Sequence, residues 1–373
     1  MKPSIYLILA AVLALSQPAD AQESVKVGAV EGLTGPIAKY GVPIRHGFDL
    51  ATEEVNGKGG VLGGRKIEMI YEDSAGQKEQ ALNAMKKLLA RDRVVAVFGP
   101  TLSNEMFAAG PAAVERNIPA IGTSTTADGI TDIGDWIFRT AMPEANVIPV
   151  TVATVKQRFG AKRIALMYSN DDAFTKSGFD VMKAAAETLG LEIATIETFG
   201  TKDTDFSAQL TKIKGLNVDA IGISALAEAG AGVVLQARQL GIPPKVVMFG
   251  GNGFNSPKVA EIAGRAAEGF LVGTPWFIGK KDPANEQFVA AYKKKFNEEP
   301  DQFAAQAYDS LFILAEALQR AGSTENVKLR EALLKTDHKG VLGPFRFTPH
   351  RDPASVEGVV VMAVKDGKFD TLE

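Results

Sequence analysis

From residue 25 onwards, short runs of apolar and largely β-branched residues alternate with longer segments whose apolar positions recur every three to four residues. The short runs fall at 25–30, 67–71, 94–98, 118–121, 164–168, 193–198, 220–223 and 246–249. Most are nearly uniformly apolar, and each reads as a short strand covered on both faces. The longer segments, among them 77–90, 144–159, 179–189, 206–213 and 229–240, predict amphipathic helices. Strand alternating with helix implies parallel sheets flanked by helices. Two such series, parted near 140–144, predict an α/β protein of two doubly wound parallel-sheet lobes. The length also allows a (β/α)8 barrel, which this division disfavours.

The last quarter breaks the alternation. Helical segments at 285–296, 303–321 and 327–334 follow one another without an intervening strand, and strand-like runs return at 345–348 and 359–364. Such a tail reads as chain returning to cover a lobe already built. Glycine and proline punctuate the rest: five glycines within 56–64, three within 250–253, and Pro243 with Pro244 between a helix and a strand.

Residues 1–21 stand apart. Met1 and Lys2 precede an apolar run at 5–15, and Pro18 leads into Ala19, Asp20 and Ala21, a small-x-small cleavage pattern before Gln22. The run falls well short of the roughly 20 residues needed to span a bilayer. A cleaved signal peptide and a periplasmic mature protein are therefore expected, with no direct membrane insertion.

Composition narrows the chemistry. The 373 residues carry a formal net charge of −3, 46% are hydrophobic and 23% charged, so neither nucleic acid nor an anionic membrane surface is an expected partner. The chain has no cysteine, which excludes disulfides, thiolate nucleophiles and Cys-ligated metals. Its three histidines, His46, His338 and His350, are scattered, and no metal or cofactor is expected.

Enzyme motifs nearly form and then fail. A dinucleotide fingerprint over Gly57 and Gly59 meets Leu62 where its third glycine belongs, and a phosphate loop over Gly273 and Gly279 has the wrong spacing and ends in Lys280 and Lys281. A nucleophile elbow at Gly122 and Ser124 has Thr126 in place of glycine. Adjacent acids such as Asp171 with Asp172 point in different directions and read as surface charge or caps. What remains is two loops of small hydroxyl residues at the carboxyl ends of predicted strands. One runs from Gly99 through Thr101 and Ser103, with Ser103 placed as an N-cap; the other is Gly122 to Thr126. Ligands of open α/β sheets sit outside such strand ends, and a helix start with convergent hydroxyls can hold a carboxylate without a buried cation. Either loop alone reads as a cap or a solvated turn; the pair predicts a site.

At these residues the sequence resembles the periplasmic leucine/isoleucine/valine-binding proteins, receptors of ABC importers. The resemblance spans nearly all of the chain after residue 22. It is carried by Gly32-Leu33-Thr34-Gly35-Pro36, Tyr40-Gly41, Gly47, Asn56 with Gly59, Gly60 and Gly63, Asp73, Gln236-Ala237-Arg238 before Gly241, Ala267-Glu268-Gly269, Tyr308-Asp309, and 340–345. It implies two α/β lobes joined by three crossover segments, 24–141 plus 276–340 and 142–275 plus 341–373, closing on a buried ligand for a membrane permease. It also implies a monomer and no reaction.

By the same resemblance Ser103 and the Thr101 backbone bind a ligand carboxylate, and Ser124 and Thr126 contact its carboxylate and amino group. Tyr40, Phe174, Leu226 and Phe303 line the remainder, although each of the three aromatics also reads as core. Relatives commonly carry an acid for the ligand ammonium where this chain has Asn252. An unopposed buried ammonium is costly, so either another acid such as Glu228 substitutes or the ligand has no amine. Two ligand classes stay open: an aliphatic amino acid, or an aromatic or other non-amino carboxylate or amide. A ligand-sensor subunit of the same fold is the alternative to transport.

Overall fold

The computed structural model describes residues 23–354 and 358–372; the expected signal peptide lies outside them. Five parallel strands form the first sheet: β1 (Val25–Glu31), β2 (Ile67–Asp73), β3 (Val97–Phe98), β4 (Ala120–Gly122) and β5 (Ile137–Arg139), in the order β2-β1-β3-β4-β5. Their crossovers are α1 (Ala38–Gly57), α2 (Lys78–Lys87) and α3 (Ser103–Glu115), and α4 (Glu144–Phe159) leads out of the lobe.

The second sheet repeats the plan. β6 (Arg163–Ser169), β7 (Glu192–Phe199), β8 (Ala220–Ser224), β9 (Val247–Gly250) and β10 (Leu271–Thr274) run in the order β7-β6-β8-β9-β10, interleaved with α5 (Ala173–Thr188), α6 (Ser207–Gly215), α7 (Ala227–Gln239) and α8 (Pro257–Ala263). In both lobes the second strand pairs outside the first and the third pairs inside it. Each sheet therefore has a switch point where crevices open at the carboxyl ends of its strands.

The remaining chain completes both lobes. α9 (Pro283–Phe296), α10 (Gln302–Ala321) and α11 (Asn326–Leu334) follow β10, then β11 (His338–Gly340) and β12 (Gly343–Phe345) form a small antiparallel ladder. α9 and α10 start on acidic caps: Asp282 accepts from the backbone N–H of Ala284, and Asp301 from that of Ala304. α10 returns to α1 so closely that a Cβ on Gly47 would lie 2.2 Å from the Ala304 carbonyl oxygen. Finally β13 (Val360–Lys365) and β14 (Lys368–Thr371) add an antiparallel edge to the second sheet beside β10, so that sheet is mixed rather than purely parallel.

The chain passes between the lobes three times, after β5, after β10 and before β13. The third passage differs from the expected partition, which assigned 341–373 to the second lobe. Residues 341–353 contact the first. Val341 and Leu342 donate their N–H groups to Asp309, Phe347 packs edge-on against Phe138, and Asp352 pairs with Arg139 at 2.7 Å. The backbone of Arg139 donates to the Arg351 carbonyl, which occupies the free edge of β5.

Candidate functional site

A narrow cavity lies between the two sets of strand ends. Tyr40, Thr101, Ser103, Ser124, Thr126, Phe174, Leu226, Asn252 and Phe303, all nine residues singled out from the sequence, line it, together with Leu102, Gly253, Gln302 and Gln306.

The first lobe supplies a hydroxyl-rich wall from the loops after β3 and β4. Gly99 starts the first loop at φ +83°, and a Cβ there would come within 2.2 Å of the Val30 carbonyl, so only glycine lets the chain leave β3 this closely. Thr101 Oγ1 accepts the Gly32 N–H at 2.9 Å and donates to buried Glu31. Its carbonyl accepts the Ser124 hydroxyl at 2.7 Å, which ties the two loops together. Ser103 is not an N-cap: it is the first residue of α3, Leu102 holds the cap position, and Glu105 accepts the Leu102 N–H. Freed from capping, Ser103 Oγ accepts the Ala127 N–H at 3.3 Å. The Thr126 hydroxyl and the Gln306 side-chain carbonyl are buried without a hydrogen-bond partner among the described residues. Leaving such a group unpaired costs about 1–3 kcal/mol, which a polar ligand would relieve.

The second lobe closes the other side. Phe174, in the first turn of α5, stands over Gly253, where a Cβ would meet the ring at 3.0 Å. Leu226 precedes α7, and Asn252 follows β9. The Asn252 amide donates to the Met142 carbonyl at 3.0 Å, and its oxygen accepts from Gln302 Nε2 at 3.2 Å.

Contacts across the cleft hold the lobes together. The Tyr40 hydroxyl, on α1, donates to the Gly253 carbonyl at 3.2 Å and accepts the Ala227 N–H at 2.8 Å, while its ring meets Phe303 edge-on at 4.9 Å. Asn104 pairs with Asp172 and with the Ala173 N–H, and the Asp128 N–H donates to Ser177 Oγ. Leu102 and Leu226 border both the cavity and a wide outer groove, so these two apolar side chains separate ligand space from the cleft mouth.

No charged side chain lines the cavity. The acids stand one layer behind. Burial raises Glu31, next to Thr101, to about 8 despite the Thr101 hydrogen bond, and raises Glu144, next to Asn252, to the same value. Glu228, the expected substitute for the acid absent at Asn252, is half exposed on the groove and pairs with Lys39 at 2.9 Å; it does not line the cavity. Burial lowers the pKa of Lys39, outweighing the pull of Glu228. Among the described residues, no group of three or more acidic or histidine side chains could hold a metal ion.

Two lobes of matching strand order with a neutral, hydroxyl-walled cavity between them define a two-lobed binding protein of the type I periplasmic class. The comparisons agree: the periplasmic binding protein family matches residues 24–368, and the chain belongs to that family. It is 28% identical over 352 residues to the leucine-, isoleucine-, valine-, threonine- and alanine-binding protein of Pseudomonas aeruginosa, covering 90% of this chain and 93% of that one. The branched-chain amino acid transporter substrate-binding protein LivJ of Streptococcus pneumoniae, solved with isoleucine, superposes with a TM-score of 0.87 at 30% identity, over 94% of this chain and 98% of that one. A solute-binding protein from R. palustris in complex with benzoate has a TM-score of 0.85 at 21% identity, covering 94% of this chain and 95% of that one, which shows a shared fold.

Proposed function

We propose that this chain is the extracytoplasmic receptor of an ABC importer, capturing a branched-chain amino acid or a related small carboxylate between its lobes. The observation that carries this reading is the wall of the first lobe. Ser103, Ser124 and Thr126, with the backbone of Thr101, converge beside the start of α3, where backbone amides and the helix dipole favour an anion. The apolar half, formed by Leu102, Phe174, Leu226 and Phe303, suits an aliphatic side chain. A ligand touched from both lobes stabilises the arrangement in which they meet, so capture and closure are one equilibrium. The closed outline is what a membrane permease would read. The protein then acts as a monomer delivered to the periplasm by cleavage after Ala21, and no covalent step is involved.

A second reading rests on Asn252. With an amide there and no acid lining the cavity, a carboxylate without an amine, such as a benzoate, also fits the electrostatics.

The test is thermal denaturation of the mature chain, stripped of ligand by unfolding and refolding, against leucine, isoleucine, valine, 4-methylpentanoate and benzoate. At about 100 times the dissociation constant a ligand adds about 2.7 kcal/mol of stability. Stabilisation by the amino acids supports the first reading, and stabilisation only by amine-free carboxylates supports the second. No shift with any of the five refutes both.

A further inference from the structure

We propose that Glu144 is the specificity-determining acid of this site, supplying from behind the cavity wall the counter-charge for a ligand ammonium that Asn252 cannot provide. This rests on the reading that the ligand is an amino acid.

Glu144 opens α4 immediately after the first passage between the lobes, and it touches the cavity wall from both sides. Its own N–H donates to the Thr126 carbonyl at 3.3 Å, in the first lobe. Its Oε2 accepts the Asn252 N–H at 3.4 Å, in the second. The Thr126 hydroxyl lies near enough to favour its ionised form, though short of hydrogen-bond geometry. The space it fills exists because residue 251 is glycine: a Cβ there would lie 2.3 Å from Oε2 and 3.1 Å from the carboxyl carbon.

The carboxyl is nevertheless incompletely used. It is 1% exposed, and Oε1 has no hydrogen-bond partner among the described residues. Helix capping does not explain it, because the first-turn dipole would be served equally well by a solvent-facing acid. Nor is it a salt bridge: Asn252 and Thr126 are the only groups besides burial that act on its proton, and no charged side chain faces it among the described residues. A buried acid with a spare oxygen, adjoining two residues that line a ligand cavity, is placed to meet a cation that arrives with the ligand.

The proton balance follows. With the lobes together and no ammonium between them, burial keeps the carboxyl neutral up to about 8. When an ammonium enters, the Glu144 O–H bond breaks, the proton leaves to buffer, and a carboxylate–ammonium pair remains. An amine-free carboxylate gives Glu144 no reason to ionise, so its binding releases no proton from this group.

The experiment is isothermal titration of stripped protein at pH 7 with leucine and with 4-methylpentanoate, each in two buffers of different ionisation enthalpy. For the unaltered chain we expect close to one proton released per leucine bound and none per 4-methylpentanoate. Glu144→Gln keeps the shape and the contact to the Asn252 N–H but cannot ionise. It is expected to cut the leucine to 4-methylpentanoate affinity ratio at least tenfold and to abolish the proton release. If the variant does not fold, the proton count on the unaltered chain decides alone. Leucine binding without proton release, or with the affinity ratio preserved in the variant, overturns the role of Glu144 and leaves the proposed function standing. Failure of leucine, isoleucine and valine to bind the unaltered chain overturns the amino-acid reading and the role of Glu144 with it.

Discussion

Tyr40→Phe isolates the cost of closing the lobes from the cost of contacting a ligand. The Tyr40 hydroxyl makes two hydrogen bonds, to Gly253 O at 3.2 Å and from Ala227 N at 2.8 Å, and both partners belong to the opposite lobe. Phenylalanine retains the ring and its 4.9 Å contact with Phe303, so first-lobe packing is unchanged. When the lobes part, water can satisfy the carbonyl and the N–H; when they meet around phenylalanine, both are buried and unpaired. At about 0.5–1.5 kcal/mol for each net hydrogen bond, the closed arrangement loses about 1–3 kcal/mol. Because ligand is held only where the lobes meet, that loss appears in the dissociation constant as a roughly 5- to 150-fold weakening. Calorimetric titration of stripped protein measures it, and small-angle scattering at saturating ligand should still show the compacted form. An affinity within twofold of the unaltered chain would show that these bonds do not couple closure to binding.

Three further outcomes are expected. Ser103→Ala removes a hydroxyl from the anion wall and should weaken carboxylate binding by about 1–3 kcal/mol, while the free protein keeps its fold but melts somewhat lower because the Ala127 N–H loses its acceptor; unchanged affinity would take Ser103 out of the site. Glu31 and Glu144 hold protons up to about 8 when folded but only to about 4.5 when unfolded, and His338 holds one to about 9 against 6.5. For His338 burial acts to lower the value and is outweighed by Asp309 and Glu316. In all three cases the folded state binds more protons, so the thermal midpoint of ligand-free protein should fall steadily from pH 5 to pH 9. Glu31→Gln should flatten that slope, and a midpoint that rises with pH over this range would contradict the assignment. Gly47→Ala forces a Cβ to 2.2 Å from the Ala304 carbonyl, where α1 and α10 are closest, and should cost about 1–3 kcal/mol by scanning calorimetry. A midpoint equal to that of the unaltered chain would mean the helices separate freely.

Strands buried on both faces announced themselves because uniform apolar runs such as 164–168 and 220–223 have few other uses. α1 was harder to see: Gly41, Pro43 and Gly47 interrupt its apolar period, and its register becomes intelligible only against α10, more than 200 residues away. β5 and β10, three and four residues long, carry too little pattern to stand out. The hydroxyl wall was legible from two strand-end loops, and the aromatic lining from family resemblance alone. Gln302 and Gln306 were missed, although two amides one turn apart on the buried face of an apolar helix are a readable signal. Nothing in the sequence sets Glu144 apart from an ordinary first-turn acid, and only the glycine beside it in space shows why it turns inward. The Ser103 cap failed for a local reason, since Glu105 reaches back to the Leu102 N–H and takes over the task.

The pairing of α1 with α10 bears on how the chain is assembled in time. A polypeptide emerging from its N-terminus delivers all five strands of the first sheet by residue 139, yet the helix that covers α1 begins only at Gln302. The second sheet lacks only β13 and β14 by residue 274. The lobe synthesised first is thus completed late, and until then its apolar faces wait for a partner that has not yet been made. A chain built this way stays threadable for most of its length, which suits the export proposed for it.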